Sequence, residues 1–561
     1  MKRMISLSLF LVGITATSAQ IVLLREFLAT FYGNELAVGI LMFVWLAGGA
    51  AGAWAGSMAR KWRILAKPGA LALCHAILLA LIPSAVIFLR ISRPLTGLIA
   101  GEIAGMPVIA VASIICFFPI CFTTGLMFVI GCLAYGFEEG DRRIGRVYFL
   151  ESAGASAGGL ITGLCLVPYF GILEICLMIG LLNGMMAVLM LWFLSRIWRP
   201  VAAAVIVMLA AVSFVSGRSL ADYIGRITLG YKWKGFDVLG SGDSIYGSVT
   251  MARMGDQYTL FSNGIISSSS PDLIAAEENV HFAMLMHPDP RNVLLIGGGT
   301  GDTLGELLKY PQAAVTYVEI DPLLIEMARK FMKGEPWFEL DNPRVRIVNQ
   351  DARYYVKTAR DKYDVVILQL PNPYNAQIDR LYTADFYAEL KDLLNEPGIV
   401  SFGITSSENY ISPQLSHFLY SLEATLKTVF SDVRVIPGDT AFYLASTEKG
   451  RLTLDSTVIE ERRGQKGIEA SFVTPFYLRS KLSRDRISYL NSVLAAAARV
   501  EKPFINTDFH PVSYYYDMVL WSTYFSGAMS WFFDALDKTC MPAVITIFGL
   551  LLITGFAARR C

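Results

Sequence analysis

Three segments place glycines or acids directly after predicted β-strands, where α/β sheets commonly bind ligands. In VLLIGGGTGDTLGELL, Gly297 and Gly299 lie in a turn that lets a ligand approach the N–H groups of the following helix. Glu319 in VTYVEID ends the next strand, where a carboxylate can accept both hydroxyls of a ribose. Asp351 in NQDARYY ends the third strand and can hold the exocyclic amine of adenine. Together these segments predict a nucleoside-bearing ligand.

The fourth strand ends in two amides at the place where such a sheet usually carries a reactive acid. The segment VILQLPNPYN runs from Val366 to Asn375 and contains Gln369 and Asn372. A carboxylate can take a proton from an attacking amine and can hold a charged amine. An amide accepts a hydrogen bond but has no useful basicity. The sequence therefore predicts a ligand pocket without its expected base.

The elements that position these residues alternate between strands and helices. VLLIGGG, VTYVEID, VRIVNQD, YDVVILQL and GIVSFGI are typical of short strands, and DTLGELLKY and PLLIEMARKFM are typical of helices. This alternation predicts a parallel, doubly wound sheet. GSVTMAR and YTLFSNGII, separated by the turn MGDQ, predict a small antiparallel sheet before it.

The composition indicates a membrane protein. Of 561 residues, 54% are hydrophobic and 17% are charged, and the mean hydropathy is +0.48. About 20 apolar residues are needed to cross a bilayer. Runs of that kind predict roughly eight transmembrane helices, which begin near Ile5, Leu36, Gly69, Met106, Glu151, Ile172, Val201 and Thr539. The net charge of +1 gives no basis for nucleic-acid binding.

Small residues recur in these spans, as in LAGGAAGAWAG and ESAGASAGGLITG, and predict close helix packing. The basic loop residues predict a cytoplasmic amino end in the cell (inner) membrane and a soluble region outside the cytoplasm. That side depends on the number of spans, because Met106 to Tyr135 contains Pro119 and is either one helix or a broken pair. The residues on the cytoplasmic side are Lys2, Arg3, Arg60, Lys61, Arg63, Lys67, Arg142, Arg143, Arg146, Arg196, Arg199, Arg559 and Arg560, against Arg25, Arg90 and Arg93 on the other.

Composition shifts predict five domains. They are a transmembrane domain of about seven helices (1–216), a small β domain with a connecting helix (217–285), a nucleoside-binding α/β domain (286–513), an aromatic amphipathic arm at the membrane interface (514–538) and a last transmembrane helix (539–561). No metal site is predicted, because the histidines and cysteines lack metal-ligand spacing.

The order of these segments resembles the polyamine aminopropyltransferases, that is the spermidine synthases, and especially their membrane-fused bacterial members. The resemblance covers about 240–435 and the segment NTDFHPVSYYYD, 506–517. It implies a Rossmann-like domain of the S-adenosylmethionine-transferase type behind a small β domain. It also implies an enzyme that transfers an aminopropyl group from decarboxylated S-adenosylmethionine to putrescine.

The resemblance implies roles for individual residues. Nucleoside contacts are implied at Gly297, Gly299, Thr300, Asp302, Glu319 and Asp351, and a substrate pocket at Tyr246, Glu277 and Tyr382. The departures from the family pattern concern the chemistry. Thr300 replaces an acid of the glycine-rich turn, and Gln369 and Asn372 replace both acids of an Asp-Ser-x-Asp-Pro segment. An alanine, Ala275 or Ala276, stands where the family has a tyrosine, and the Tyr-Pro segment that grips the diamine is absent.

Three functions remain open on this basis. The chain is an aminopropyltransferase whose acid comes from elsewhere, such as Asp302 or Asp379, or another S-adenosylmethionine-dependent amine transferase, or a non-catalytic ligand-binding or assembly module on a membrane anchor. Loss of buried acid partners typically costs about 3–5 kcal/mol, so ordinary diamines should bind poorly. The expected partners are the lipid bilayer, a nucleoside and an amine. The oligomeric state is left open.

Overall fold

The computed structural model describes residues 2–31, 33–58, 68–99, 101–102, 104–135, 142–194, 221–499 and 505–523. The chain divides into two compact units. The first comprises 1–273, 298–305 and 319–349, and the second comprises 274–297, 306–318 and 350–561.

Six helices of the described residues are long and apolar enough, by length and composition, to cross a membrane. The helix α4 passes through Pro119 without a break, which settles the question of one helix or two in that segment. The spans predicted near Val201 and Thr539 lie outside the described residues. The six helices are α1 (Lys2–Phe31), α2 (Glu35–Met58), α3 (Pro68–Leu95), α4 (Met106–Ala134), α5 (Arg142–Ile161), which continues into a π-helical turn (Thr162–Leu166), and α6 (Ile172–Leu194).

Glycines allow these helices to approach one another closely, as the small-residue pattern predicts. A Cβ atom on Gly13 would lie 1.9 Å from the carbonyl oxygen of Glu151, and one on Gly154 would lie 1.9 Å from that of Phe10. These contacts join α1 to α5. Gly52 makes an equally close contact between α2 and α4. Backbone contact of this kind replaces the hydrophobic drive that is absent in lipid.

The three arginines predicted to lie in the short loops of the non-cytoplasmic side are instead part of helices, and Arg25 lies in α1. Arg90 and Arg93 lie in the last turns of α3, where both side chains are buried. The guanidinium of Arg90 donates two hydrogen bonds of 3.0 Å to the carboxylate of Glu26 in α1. The charge of Arg90 is therefore neutralised by Glu26, whereas Arg93 donates to the backbone carbonyl oxygens of Thr30, Ile99 and Glu102. The three arginines do not belong to the loop count that predicts orientation.

A helix and a four-stranded sheet complete the larger part of the first unit. The helix α7 (221–232) precedes the strands β1 (Asp237–Asp243), β2 (Ser248–Met254), β3 (Gln257–Ser262) and β4 (Ile265–Ser270). The strands follow one another in the sheet and are antiparallel, which confirms the predicted antiparallel sheet. Trp233, Ala252 and Phe261 form the buried cluster of this sheet.

The second sheet has seven strands in the order β10-β11-β9-β8-β5-β6-β7. Its strand β5 pairs in parallel with β6 and with β8, and β8 pairs in parallel with β9. The order reverses at β5, as in other doubly wound folds. The strands are β5 (Asn292–Ile296), β6 (Ala314–Glu319), β7 (Val345–Asn349), β8 (Tyr363–Leu368), β9 (Leu394–Thr405), β10 (Asp432–Ile436) and β11 (Thr440–Ser446).

The sheet is mixed, whereas the alternation of strands and helices predicts a purely parallel one. The strands β10 and β11 are antiparallel to their neighbours. Only a short turn separates Ile436 from Thr440, and a connection of that length permits a hairpin but no parallel crossover. The predicted strands and helices of the α/β fold are otherwise confirmed.

Several of the helices described in the α/β fold begin after a residue whose side chain caps the first turn. For example, the Asp321 side chain accepts the Leu323 N–H at the start of α10, and Pro322 occupies the first turn. These helices are α8 (Leu273–Met284), α9 (Thr303–Leu308), α10 (Pro322–Met332), α11 (Ala352–Thr358), α12 (Ala376–Asp379), α13 (Ala384–Asp392), α14 (Pro413–Lys427), α15 (Ser456–Gln465), α16 (Pro475–Lys481), α17 (Arg484–Ala497) and α18 (Val512–Thr523).

The contact between α1 and α5 predicts that Gly154→Ala destabilises the helix bundle. The added methyl group would overlap the Phe10 carbonyl, and overpacking of this kind costs about 1–3 kcal/mol. Thermal unfolding of the purified protein in detergent measures the effect. Gly39→Ala in α2 is the control, because a Cβ there meets no described atom within 4 Å. Equal melting temperatures for the two variants would contradict the close helix contact.

Candidate functional site

The glycine-rich turn begins directly after β5 and packs against the residue that follows β8. Gly297 has a φ of +75°, and a Cβ atom there would lie 2.6 Å from the carbonyl oxygen of Gln369. The Gln369 N–H donates to the Ile296 carbonyl over 2.9 Å, which extends the ladder between the two strands. Only glycine fits this position, because it allows both the left-handed backbone and the close approach.

Thr300, which departs from the family pattern, and Asp302 hold the rest of the turn in the first unit. The hydroxyls of Thr300 and Ser268 are 2.8 Å apart, and the Asp302 carboxylate accepts the Asp272 N–H. Both Thr300 and Asp302 are buried. They therefore tie the turn to β4 and to the residues after it.

Glu319 lies at the end of β6 beside the loop that contains Tyr246. The Glu319 carboxylate accepts the Asp321 N–H over 3.3 Å, and Asp321 in turn accepts the Ser244 hydroxyl over 2.7 Å. Ser244 and Tyr246 belong to the predicted segment DSIYGSV. Asn263 holds the same loop, because its amide donates to the Tyr246 carbonyl over 3.3 Å. Within the first unit, the structure thus places Tyr246 on the loop that adjoins the corner formed by Glu319 and Asp321.

In the second unit, the loop after β8 is held in one conformation. The Asn372 side-chain oxygen accepts the Thr405 N–H over 3.2 Å, and its nitrogen faces the Asp517 carboxylate at 3.5 Å. The hydroxyl of Tyr382, which is fully buried, donates to the Pro371 carbonyl over 3.0 Å. Tyr382, predicted in the substrate pocket, therefore supports the loop that carries the two amides.

Asp379 is a buried carboxylate close to this loop in the chain. It is 2% exposed, and it accepts hydrogen bonds from the Asn506 amide at 3.0 Å and the Tyr514 N–H at 3.1 Å. Burial raises the pKa of Asp379 to about 7, with smaller contributions in the same direction from the negative charges of Asp508 and Asp517. A carboxyl with such a pKa exchanges protons near neutral pH.

Asp517 is the functional candidate that the sequence analysis did not identify. It lies in α18, within the aromatic run that predicts an interfacial arm starting at residue 514. In the structure α18 packs against α14, since the hydroxyls of Ser513 and Ser421 are 3.1 Å apart and the rings of Tyr516 and His417 are 5.6 Å apart. Burial raises the pKa of Asp517 to about 7. The remainder of the predicted arm lies outside the described residues.

The segment NTDFHP positions α18 through an ion pair. Arg353 donates 2.7 Å hydrogen bonds to both carboxylate oxygens of Asp508 and also binds Glu389. The hydroxyl of Thr383 donates to the same Asp508 carboxylate over 2.8 Å. Two acceptors on one guanidinium raise the pKa of Arg353. Both carboxylate oxygens of Asp508 therefore have hydrogen-bond partners within the protein.

Two other predicted site residues also have protein partners. The Asp351 carboxylate caps α11 by accepting the Tyr354 N–H over 2.9 Å, and it pairs with Arg380. The fully buried Glu277 accepts three backbone N–H groups, at 2.6–2.8 Å, from Ser471, Phe472 and Val473. Residues 471–473 follow β11 by some distance in sequence, so this contact needs the tertiary structure.

Within the part of the chain that the structure describes, no group of three or more His, Cys, Asp or Glu side chains could hold a metal ion. His281 instead contacts Tyr310 and Glu306, each at 3.1 Å.

The raised pKa of Asp379 predicts that the protein loses stability as the pH rises. Between its ordinary pKa of 3.8 and about 7, the folded state keeps a proton that the unfolded chain has released. From about pH 5 to pH 8 this costs about 2–3 kcal/mol of unfolding free energy. Asp379→Asn should reduce the fall in melting temperature over that range.

The control for this experiment is Asp392→Asn, which changes an exposed carboxylate. It should retain the pH dependence of the unmodified protein. An Asp379→Asn variant with an unchanged pH dependence would show that this carboxyl does not hold the proton.

Comparison with known proteins identifies the family to which this chain belongs. Residues 273–446 match the spermine/spermidine synthase domain. The chain is 27% identical to a polyamine aminopropyltransferase of Oceanobacillus iheyensis over 55% of this chain and 61% of that protein. It is 34% identical to a polyamine aminopropyltransferase of Pyrobaculum calidifontis over 35% of this chain and 71% of that protein.

A crystal structure of a spermidine synthase in complex with the transition-state analogue AdoDATO is 25% identical, with a TM-score of 0.40 over 46% of this chain and 89% of that chain. The chain spans less than two thirds of the length of the Oceanobacillus relative. The matched domain and the identity to the Pyrobaculum protein over most of its length establish that the chain belongs to the spermine/spermidine synthase family of polyamine aminopropyltransferases.

Proposed function

We propose that this protein is a membrane-anchored transferase that moves an aminopropyl group from decarboxylated S-adenosylmethionine to an amine. The observation that carries the proposal is the corner at Glu319 in the first unit. There a carboxylate at the end of β6 adjoins an anchored loop, in a chain whose α/β domain belongs to the aminopropyltransferase family.

The nucleoside half of the reaction is assigned to the first unit. Glu319 is buried at the end of β6, where one of its carboxylate oxygens accepts the Asp321 N–H over 3.3 Å. A carboxylate at the end of this strand is suited to accept both hydroxyls of a ribose. Gly299 and Thr300 belong to a turn held by Ser268, which presents backbone N–H groups to the ligand. Asp302 supports this turn.

The amine half is assigned to the loop after β8 in the second unit. Gln369 and Asn372 occupy the family's acid positions, and neither can accept a proton from an ammonium group. The loop is nevertheless ordered by Tyr382 and Thr405. Activity on the ordinary diamine putrescine is therefore expected to be weak.

The competing amine-methyltransferase function gains no support from Asn372. A transferase that methylates amines would need the side-chain oxygen of Asn372 to accept an N–H of the substrate amine. Here the same oxygen accepts the Thr405 N–H over 3.2 Å, and the side-chain nitrogen faces Asp517. We therefore place aminopropyl transfer first. Methyl transfer and ligand binding without catalysis are outcomes that the experiments below distinguish.

The membrane location is part of the proposal. Six helices of suitable length and composition support an anchor formed by residues 1–216, and the predicted helix at 539–561 would be a second attachment. The cytoplasmic amino end and the extracytoplasmic soluble region follow only from the loop charges. A cysteine at position 465 and an impermeant thiol reagent test the side: labelling only after cell lysis would reject the outside placement.

Nucleoside binding predicts that Glu319→Gln weakens the affinity for decarboxylated S-adenosylmethionine or methylthioadenosine. Loss of a charge-assisted hydrogen bond to a ribose hydroxyl costs about 1.5–3 kcal/mol, which is about a 10- to 100-fold increase in Kd. Isothermal titration of the full-length protein in detergent measures it. Glu326→Gln on the exposed side of α10 is the matched control and should bind as the unmodified protein does.

The same titration decides between the remaining functions. If S-adenosylmethionine, its decarboxylated form and methylthioadenosine all fail to bind, both transferase functions are rejected. If a nucleoside binds, product analysis with a panel of amines separates aminopropyl transfer from methyl transfer. Binding without any product would favour the non-catalytic module.

A further inference from the structure

We propose that Asp517 supplies the carboxylate that the loop after β8 lacks, so that it binds the acceptor amine and removes its proton. This inference rests on the proposed function and adds the residue that performs the amine half of the reaction. It also restricts the acceptor substrate to an amine whose ammonium group can bind to the carboxylate of Asp517 and the amide of Asn372.

The orientation of the Asn372 side chain is the first observation behind this proposal. Its oxygen is fixed by the Thr405 N–H at 3.2 Å, so its NH₂ group must point the other way, toward the Asp517 oxygen at 3.5 Å. A carboxylate at position 372 would lie at that distance from the Asp517 carboxylate. Two carboxyl groups so close cannot both ionise easily, because their negative charges repel each other. The amide at 372 and the acid at 517 are therefore complementary.

The structure also explains how a residue of the C-terminal segment reaches this loop. The backbone N–H of Tyr514 donates to Asp379, and Ser513 donates to the Asn506 side chain over 3.2 Å. Asp517 lies three residues after Tyr514, on the same side of α18, because residues at that spacing are neighbours on a helix. The first turn of α18 is therefore anchored to the segment that follows the loop.

The Asp517 carboxylate has few partners among the described residues. In the described part of the chain, its hydrogen-bond partner is Asn372 alone, at the long distance of 3.5 Å, and no cation pairs with it. Asp508 is the contrast, because Arg353 and Thr383 satisfy it. The Asp517 residue has intermediate exposure, whereas Asp379 is 2% exposed. A carboxylate with these properties is suited to a cation that arrives from solution.

The proposed step is balanced in charge and atoms. The acceptor ammonium gives one proton to the Asp517 carboxylate and becomes a neutral amine. The lone pair of that amine attacks the aminopropyl carbon of the sulfonium nucleoside and forms the new C–N bond, while the electrons of the C–S bond move to sulfur. The products are a secondary ammonium ion, a neutral thioether nucleoside and protonated Asp517. The proton then leaves to solvent.

The test exchanges the two side chains in the full-length protein. The variants are Asp517→Asn, Asn372→Asp and the double variant, with Asp392→Asn as the control. Each protein is loaded with methylthioadenosine and titrated with putrescine, cadaverine and propylamine. We expect Asp517→Asn to bind amines at least about tenfold more weakly, as loss of a charge-assisted hydrogen bond implies. Asn372→Asp alone should not improve binding, because the two acids repel each other.

The double variant is the decisive measurement. It returns the single carboxylate to the loop, so it should recover most of the amine affinity that Asp517→Asn loses. The rate of aminopropyl transfer should rank the variants in the same order as their amine affinity. For Asp517→Asn the rate should fall about 10²–10⁴-fold, which is the usual contribution of a general base. Methylthioadenosine affinity should stay within about twofold in all four variants, since the affected side chains hold the amine.

Each outcome has a distinct meaning. If Asp517→Asn binds nucleoside and amines as the unmodified protein does, the role of Asp517 is overturned while the proposed function stands. The same holds if the unmodified protein binds the nucleoside but none of the amines. If the unmodified protein does not bind the nucleoside, the proposed function itself fails. A general folding defect would lower the melting temperature and the nucleoside affinity together, which counts against a specific role.

Discussion

The side chain of Asn506 is the point on which the second unit depends. It is fully buried, and its NH₂ group donates to the Asp379 carboxylate and to the Tyr382 carbonyl, while its oxygen accepts the Ser513 N–H. Its backbone also binds the Thr425 hydroxyl. Each buried group left without a partner costs about 1–3 kcal/mol. Asn506 therefore holds the starts of α13 and α18 together with the last turn of α14.

The acids near this amide differ in their partners. Asp379 is held by neutral donors, and burial raises its pKa to about 7, as it does for Asp517. Asp508 is neutralised by Arg353. Among the described acids around α18, Asp517 remains partly exposed with a single weak hydrogen bond. The absence of acids at Gln369 and Asn372 then has a physical meaning: the loop makes room for a carboxylate that comes from a distant part of the chain.

In the first unit, a buried acid among apolar helices is likewise paired with groups of opposite charge. Glu26 in α1 is paired with Arg90 in α3 at 3.0 Å and with Lys232 of α7 at 3.3 Å. Breaking a buried pair of this kind costs about 3–5 kcal/mol, because one charge is left without a partner. The ion pairs and the close glycine contacts hold the helices in one arrangement. The same unit carries the Glu319 corner, whose loop is anchored through Ser244 and Asp321.

The sequence by itself determined the strands of the α/β sheet, the glycine-rich turn, the acid at Glu319 and the six described apolar helices. These features depend on local periodicity or on the conformational freedom of one residue, such as Gly297 with its positive φ. The tertiary structure alone decided the partners of Asn372, because Asp517 is 145 residues away in the chain and lies in a run whose aromatic character also fits a membrane interface. It likewise decided the antiparallel end of the sheet and the three backbone partners of Glu277. Hydrophobic pattern and local propensity carry no information about which distant carboxylate approaches which amide, since that choice is made by the packing of whole elements.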